Sequence, residues 1–434
     1  MLKIDFEWED PGKARGEELR ATWSRLSINV GDSAVTRVTD MAQRSVRDAI
    51  YVPLYPLAEW IAQNWFFLLF EARTHAEGTP FAKRHSLTWA DAGYSFPILS
   101  VQPTGQHADL LWLPKYRGNS NIEYIERGTA TVDLSNLCDE FRKLLDAVSD
   151  RLEQNGIVDT RFQQDWNAIN QLDQEEFEFA RMAASSGFDP FDLDDTLEST
   201  IILLSELLPS ETLLRFLTAT KGKPLNEQAA WIDHTISQLD GLAGGLSAIP
   251  EIASKSQKLK LVQKSQAAPF EWGYDVARKL RAEFIGNNKP ITSTTALAKL
   301  FGASEFDQSI ILDRESRSQV KAVCVGDNSP RFKLTTRRED SDMFALARGA
   351  FDEIVAPDLR INVVADTDLD GDKASRAFAA EFLAPKIALE EHLKRAGGRV
   401  WYEDDVIEFA DRYHVSEYVV RHQIENHQIG TLLQ

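Results

Sequence analysis

Arg348 and Asp352 stand four residues apart in Phe344-Ala-Leu-Ala-Arg-Gly-Ala-Phe-Asp-Glu-Ile-Val355, where Phe344, Leu346, Ala347, Ala350, Phe351 and Ile354 recur at helical spacing. On a helix this spacing places the two charged side chains on one face, at the separation of an ion pair. Two histidines in those positions, with a glutamate after the first, would hold zinc and take a proton from its bound water. Arginine has no lone pair to offer a metal, because its guanidinium stays protonated. Gly349 supplies no base, and a single Asp352 does not make a tetrahedral site.

Other constellations have plainer explanations. Phe191-Asp-Leu-Asp-Asp-Thr-Leu197 copies the Asp-x-Asp-x-Thr spacing in which one aspartate attacks phosphate and the other serves as acid and base. That chemistry needs the end of a buried strand, whereas Ala184-Ser-Ser-Gly-Phe-Asp-Pro190 reads as a helix end and turn. Asp194 or Asp195 is therefore expected to cap the next helix. Asp366-Thr-Asp-Leu-Asp-Gly371 begins like a calcium loop but has Ala377 where a bidentate glutamate belongs, and reads as an acidic loop. The histidines at 75, 85, 107, 234, 392, 414, 422 and 427 form no i, i+4 pair. No nucleophile motif or glycine-rich phosphate loop is visible.

The elements that must position these residues follow from composition and periodicity. The chain has 434 residues and a formal charge of −19, which disfavours a protein whose main work is coating nucleic acid. Cys138 and Cys324 are too few for a disulfide framework and suit a reducing cytoplasm. The opening Met-Leu-Lys-Ile-Asp-Phe-Glu-Trp predicts no secretory signal. Leu57–Ala72 carries Glu59, Gln63 and Asn64, which predicts a buried amphipathic helix and no membrane span.

An α+β multidomain chain is expected. Residues 1–153 read as a mixed α/β domain, with helices over Gly16–Leu26, Leu57–Arg73 and Leu134–Leu152. Its strands fall over Ile98–Gln102, Leu110–Leu113, Ile122–Ile125 and Thr129–Asp133, and Thr104-Gly105-Gln106 turns a hairpin. Residues 154–242 read as a helical domain, with Asp159, Thr160 and Asp173 as caps and a break at Pro209. Residues 243–268 read as a linker. Trp60, Trp65, Trp89 and Trp112 are core residues or interface anchors.

Residues 269–434 resemble the ImmA/IrrE family of zincin-type bacterial metallopeptidases. The resemblance rests on Phe344–Val355, where that family reads Phe-x-Leu-Ala-His-Glu-x-x-His, and on Ser375-Arg-Ala-Phe-Ala-Ala-Glu-Phe-Leu-Ala-Pro385. It extends to an opening helix over Phe270–Arg281, a short helix over Thr294–Phe301, and a small sheet from Ser309–Leu312, Val320–Val325 and Phe332–Leu334. The helical pair within Ile407–Ile424 closes it. In register, Arg348 replaces the first histidine, Gly349 the glutamate and Asp352 the second histidine, while the third ligand falls near Asp372.

The resemblance implies a peptidase fold without its metal, and so no cofactor. Arg348, Gly349, Asp352, Asp372 and Glu381 would then mark the vestigial site and its groove, with Arg348 paired to Asp352 or Asp372. It further implies a protein partner, a repressor, antitoxin or defence-complex subunit, in a mobile-element, toxin-antitoxin or phage-defence setting. Two alternatives stay open: a hydrolase with a rearranged site, and a DNA-binding regulator whose last helix presents Arg421 and His422. Glu417 and Glu425 on that helix weigh against nucleic acid.

Overall fold

A computed structural model describes residues 1–11, 14–74, 78–90, 93–116, 121–258, 268–316, 318–326, 328–395 and 398–433. They form an α+β protein with two units, Met1–Asp194 and Asp195–Gln434. His75 and residues 259–267 of the expected linker lie outside the described residues. Among the described residues no helix is long and apolar enough to cross a membrane.

The first unit is built on short antiparallel sheets. Trp23–Val30 pairs with Leu2–Trp8 on one side and with Ile50–Pro53 on the other. The expected helix over Gly16–Leu26 is therefore only Glu17–Ala21, because Leu26, Ile28 and Val30 alternate inward at the two-residue period of a strand. Ile98–Pro103, His107–Leu113 and Gly128–Asp133 form a meander whose first hairpin turns at Thr104–Gln106, as expected. The helix Leu134–Gln154 buries Leu137, Phe141, Leu144, Leu145, Val148 and Leu152 in the core of this unit. Thr160 and Asp173 each close a capping box on the next two helices. Trp60, Trp65 and Trp112 are core residues, while Trp89 is exposed.

In the second unit the strands are β1 (Ile310–Leu312), β2 (Val320–Val325), β3 (Arg331–Leu334) and β4 (Ile361–Ala365), in the order β1-β3-β2-β4. The helices before the sheet are α1 (Asp195–Leu207), α2 (Ser210–Thr220), α3 (Leu225–Asp240), α4 (Ile249–Lys258), α5 (Pro269–Phe284) and α6 (Thr294–Leu300). Those after its third strand are α7 (Glu339–Val355), α8 (Asp370–Leu383), α9 (Lys386–Arg395), α10 (Glu403–Tyr413) and α11 (Glu417–His427).

Helices cover both faces of this sheet. Ala322, Cys324, Phe332, Leu334 and Val364 join the core that contains α7. Val323, Val325 and Val363, one residue out of phase, face the opposite side, where α2 and α3 pack. Every residue of β4 is buried accordingly.

This second layer corrects two expectations. The helical middle is not a unit of its own: its first helices belong to Met1–Asp194, and α1–α3 belong with the sheet. The start of the expected linker is packed structure, since Leu246, Ile249 and Ile252 are buried in the same core as α7.

The centre of the unit is the pair α5 and α8. A Cβ on Gly273 would lie 2.1 Å from the Ala374 carbonyl oxygen, so the two backbones meet where only glycine fits. Gly349 has a comparable role between α7 and the sheet, as a Cβ there would lie 2.6 Å from the Phe332 ring.

Candidate functional site

The residues singled out in α7 and α8 do meet, in a buried cluster of opposite charges. Arg348 is 1% exposed. Its Nε donates to Ser375 Oγ at 3.1 Å, Nη1 to Asp366 Oδ1 at 2.9 Å and Nη2 to Asp372 Oδ1 at 3.0 Å. Nη2 also donates to the Ala365 carbonyl at the end of β4. Asp372 is fully buried and accepts from the Thr367 hydroxyl through its other oxygen. Arg376, on the next turn of α8, donates to the Thr367 carbonyl at 2.6 Å and so ties down the loop between β4 and α8.

Asp352 is turned elsewhere. Of the two partners expected for Arg348, it meets Asp372 and not Asp352, which is taken by α2: Arg215 donates through Nη1 to Asp352 Oδ2 at 2.6 Å and to the Val363 carbonyl at 2.9 Å. Arg215 Nε lies 3.4 Å from Asp372 Oδ1, so the two arginines share that carboxylate. Arg348 is drawn off Asp352 because Asp366, Asp372 and the Ala365 carbonyl together match its planar fork.

The electrostatics follow from burial. Burial pushes the Asp352 carboxyl up, Arg215 pulls it down and the like charge of Asp372 pushes it up again, with a net rise. Burial works against the Arg215 cation, but Asp352 and Asp372 outweigh it and hold the guanidinium more firmly protonated than usual.

Zinc does not fit this arrangement. Arg348 is a cation whose donors are engaged, and Asp352 and Asp372 each accept from arginine. Gly349 faces Phe332 and Val364, so the position of the expected base lies against the sheet. Among the described residues, no group of three or more His, Cys, Asp or Glu side chains is placed to hold a metal ion.

Glu381 does not join this cluster, although it lies on the same helix. Its carboxylate accepts from Arg278 Nε at 3.0 Å and Gln423 Nε2 at 3.0 Å, and His427 Nε2 lies 3.2 Å away, which ties α8 to α5 and α11. The cause is rotation along α8: Glu381 is nine residues beyond Asp372 and meets other neighbours. Burial pushes its carboxyl up, but the hydrogen bond from His427 and the charge of Arg278 outweigh this and leave it below the usual range.

A group with a depressed folded-state pKa adds stability above its unfolded value, here 4.5, and that stability disappears as pH falls through the folded value. Glu381→Gln is accordingly expected to lower stability near neutral pH by about 1–3 kcal/mol. The deficit should shrink on acidification below the ordinary glutamate range, as read by urea unfolding across a pH series.

The closing helices α10 and α11 form the expected pair, with His414 in the left-handed region at the turn and Ser416 capping α11. Of the two side chains for DNA contact, Arg421 is paired to Glu403, and His422 lies 3.7 Å from Glu425 and against Tyr418. Both are exposed in part but already face carboxylates. Of the two motifs given plainer readings, α1 begins at Asp195. In the Asp366–Gly371 loop, Asp366 serves Arg348 and Lys321.

Arg215 is the member of the cluster that motif reasoning missed. Its signal was local: it stands beside Phe216, between Thr212 and Ala219, on the buried side of α2. A charge set among buried positions of an amphipathic helix implies a partner beneath it.

No family model, curated protein or solved structure matches the chain.

Proposed function

We propose that this chain is a metal-free, catalytically inactive relative of the ImmA/IrrE peptidases that works by binding a protein partner, as a sensing or regulatory subunit in the cytoplasm. One observation carries the reading: Arg348, at the position of the first metal ligand, is buried and fixed by Asp366, Asp372, Ser375 and the Ala365 carbonyl. A side chain so engaged keeps the helix in place while giving up the chemistry of the position. The partner class is carried over from the resemblance: a repressor, an antitoxin or another subunit of a defence complex.

The test combines metal analysis with one defined partner. Elemental analysis of the purified chain should find no stoichiometric zinc. Calorimetry with the protein encoded beside it should show binding, and intact-mass measurement after incubation should show both chains uncut. One tightly held zinc per chain, or a specific cut in the neighbour, would overturn the proposal.

A further inference from the structure

Strand edges carry unpaired N–H and C=O groups that invite another strand, and proteins usually cover them. Among the described residues, the edge strands of five residues or more are Leu2–Trp8, Ile98–Pro103, Gly128–Asp133 and β4. Three of the four are capped by side chains or by a local bridge. Leu2 N donates to Asn136 Oδ1, Ile4 N to Glu140 Oε2, and Lys143 Nζ donates to the Ile4 carbonyl. The Ser86–Ser100 bridge and the His85 Nδ1 contact to the Val101 carbonyl close the second. On β4 the carbonyls of Ile361, Val363 and Ala365 accept from Thr212, Arg215 and Arg348.

Gly128–Asp133 has no such cover among the described residues, and Thr129, Thr131 and Asp133 are exposed along it. Its outward groups can be assigned. Leu134 N donates to the Gln106 carbonyl, and the register places Gly128 opposite Trp112. The even-numbered residues therefore bond inward to His107–Leu113, and the backbone groups of Thr129, Thr131 and Asp133 point to the free edge.

We infer that this edge joins a second copy of the chain, antiparallel about a two-fold axis through Ala130, with Arg127 opposite Asp133 and Thr129 opposite Thr131. The residue order is complementary to itself in this register: each end of the paired strands gains an opposite charge pair, and the middle gains cross-strand threonine pairs. Arg127 is exposed and makes no ion pair among the described residues. The register two residues along would set Thr129 against Asp133 and leave Arg127 without its carboxylate. Ala130 and Val132 lie on the other face, toward the core of the unit.

Single cysteines read the register directly. In the proposed pairing, Ala130 faces its own copy in a non-hydrogen-bonded pair with Cα atoms about 4.5 Å apart, within disulfide reach. In the shifted register, Thr131 sits on the axis instead. Under mild oxidation of the full chain, Ala130→Cys should give a covalent dimer, while Thr131→Cys and the parent, with its own Cys138 and Cys324, should not. Sedimentation of the parent should show a concentration-dependent doubling of mass. Arg127→Asp should abolish that doubling, and Arg127→Asp with Asp133→Arg should restore it, with circular dichroism showing each variant folded. Sedimentation at the single-chain mass at all concentrations, cross-linking through Thr131→Cys, or a dimer indifferent to Arg127→Asp would each overturn the proposal.

Discussion

Arg348→Met is expected to lower unfolding stability by about 3–5 kcal/mol, because it leaves a buried carboxylate without one of its two cations. Asp372 is fully buried and meets Arg348 at 3.0 Å and Arg215 at 3.4 Å. Methionine fills much of the volume but offers no donor to Asp372, to Ser375 or to the Ala365 carbonyl, which adds the loss of hydrogen bonds to buried acceptors. Arg348→Lys should recover only part of the loss, since an ammonium on a flexible stem cannot span the set that the planar guanidinium reaches. Urea unfolding of the two variants beside the parent measures both effects. A loss under about 1 kcal/mol for Arg348→Met would show that the cluster does not hold α7 and α8 together.

The second large effect is expected at Arg215, in a helix that sequence patterning had assigned to another domain. Arg215→Met removes the ion pair to Asp352 and uncovers the Val363 carbonyl on the edge of β4, again at about 3–5 kcal/mol. Replacing both members, Arg215→Met with Asp352→Leu, should cost less than Arg215→Met alone, because no charge is then left buried and unpaired.

Acid should distinguish the ion-pair account from simple packing. The folded state already binds a proton at Asp352 more readily than the unfolded chain does, so ionisation of this group works against folding. Its contribution improves as pH falls through the folded pKa and is complete below the ordinary value of 3.8. Without Arg215 the carboxyl rises further, and the deficit of Arg215→Met should narrow on acidification. A deficit unchanged by pH would point to lost packing instead.

Local order was well recorded in the residues. Thr160 and Asp173 capped the helices expected of them, and the meander strands came where apolar residues alternate. The helix over Arg348 also stood where apolar periodicity put it, and the closing pair where the resemblance placed it. The side-chain chemistry of Arg348 and Gly349 belongs to the residues alone, since no fold makes a metal ligand of arginine or a base of glycine.

Partnership was decided in three dimensions. Arg348 and Asp352 suit each other along a helix, yet an exposed i, i+4 pair is worth only about 0.3–0.5 kcal/mol and yields to a better-matched buried set. That set needed Asp366 and Asp372 from the segment after β4 and Arg215 from 133 residues before Arg348, a distance over which periodicity carries no information. β4 shows the same division. Ile361-Asn-Val-Val-Ala365 is apolar enough to be buried, but only the sheet made it an edge, and only α2 and Arg348 covered that edge. Residue order sets which groups are present and which stretches coil or extend; packing chose their partners, because desolvation makes an unmatched charge or carbonyl too costly to leave where the chain happened to place it.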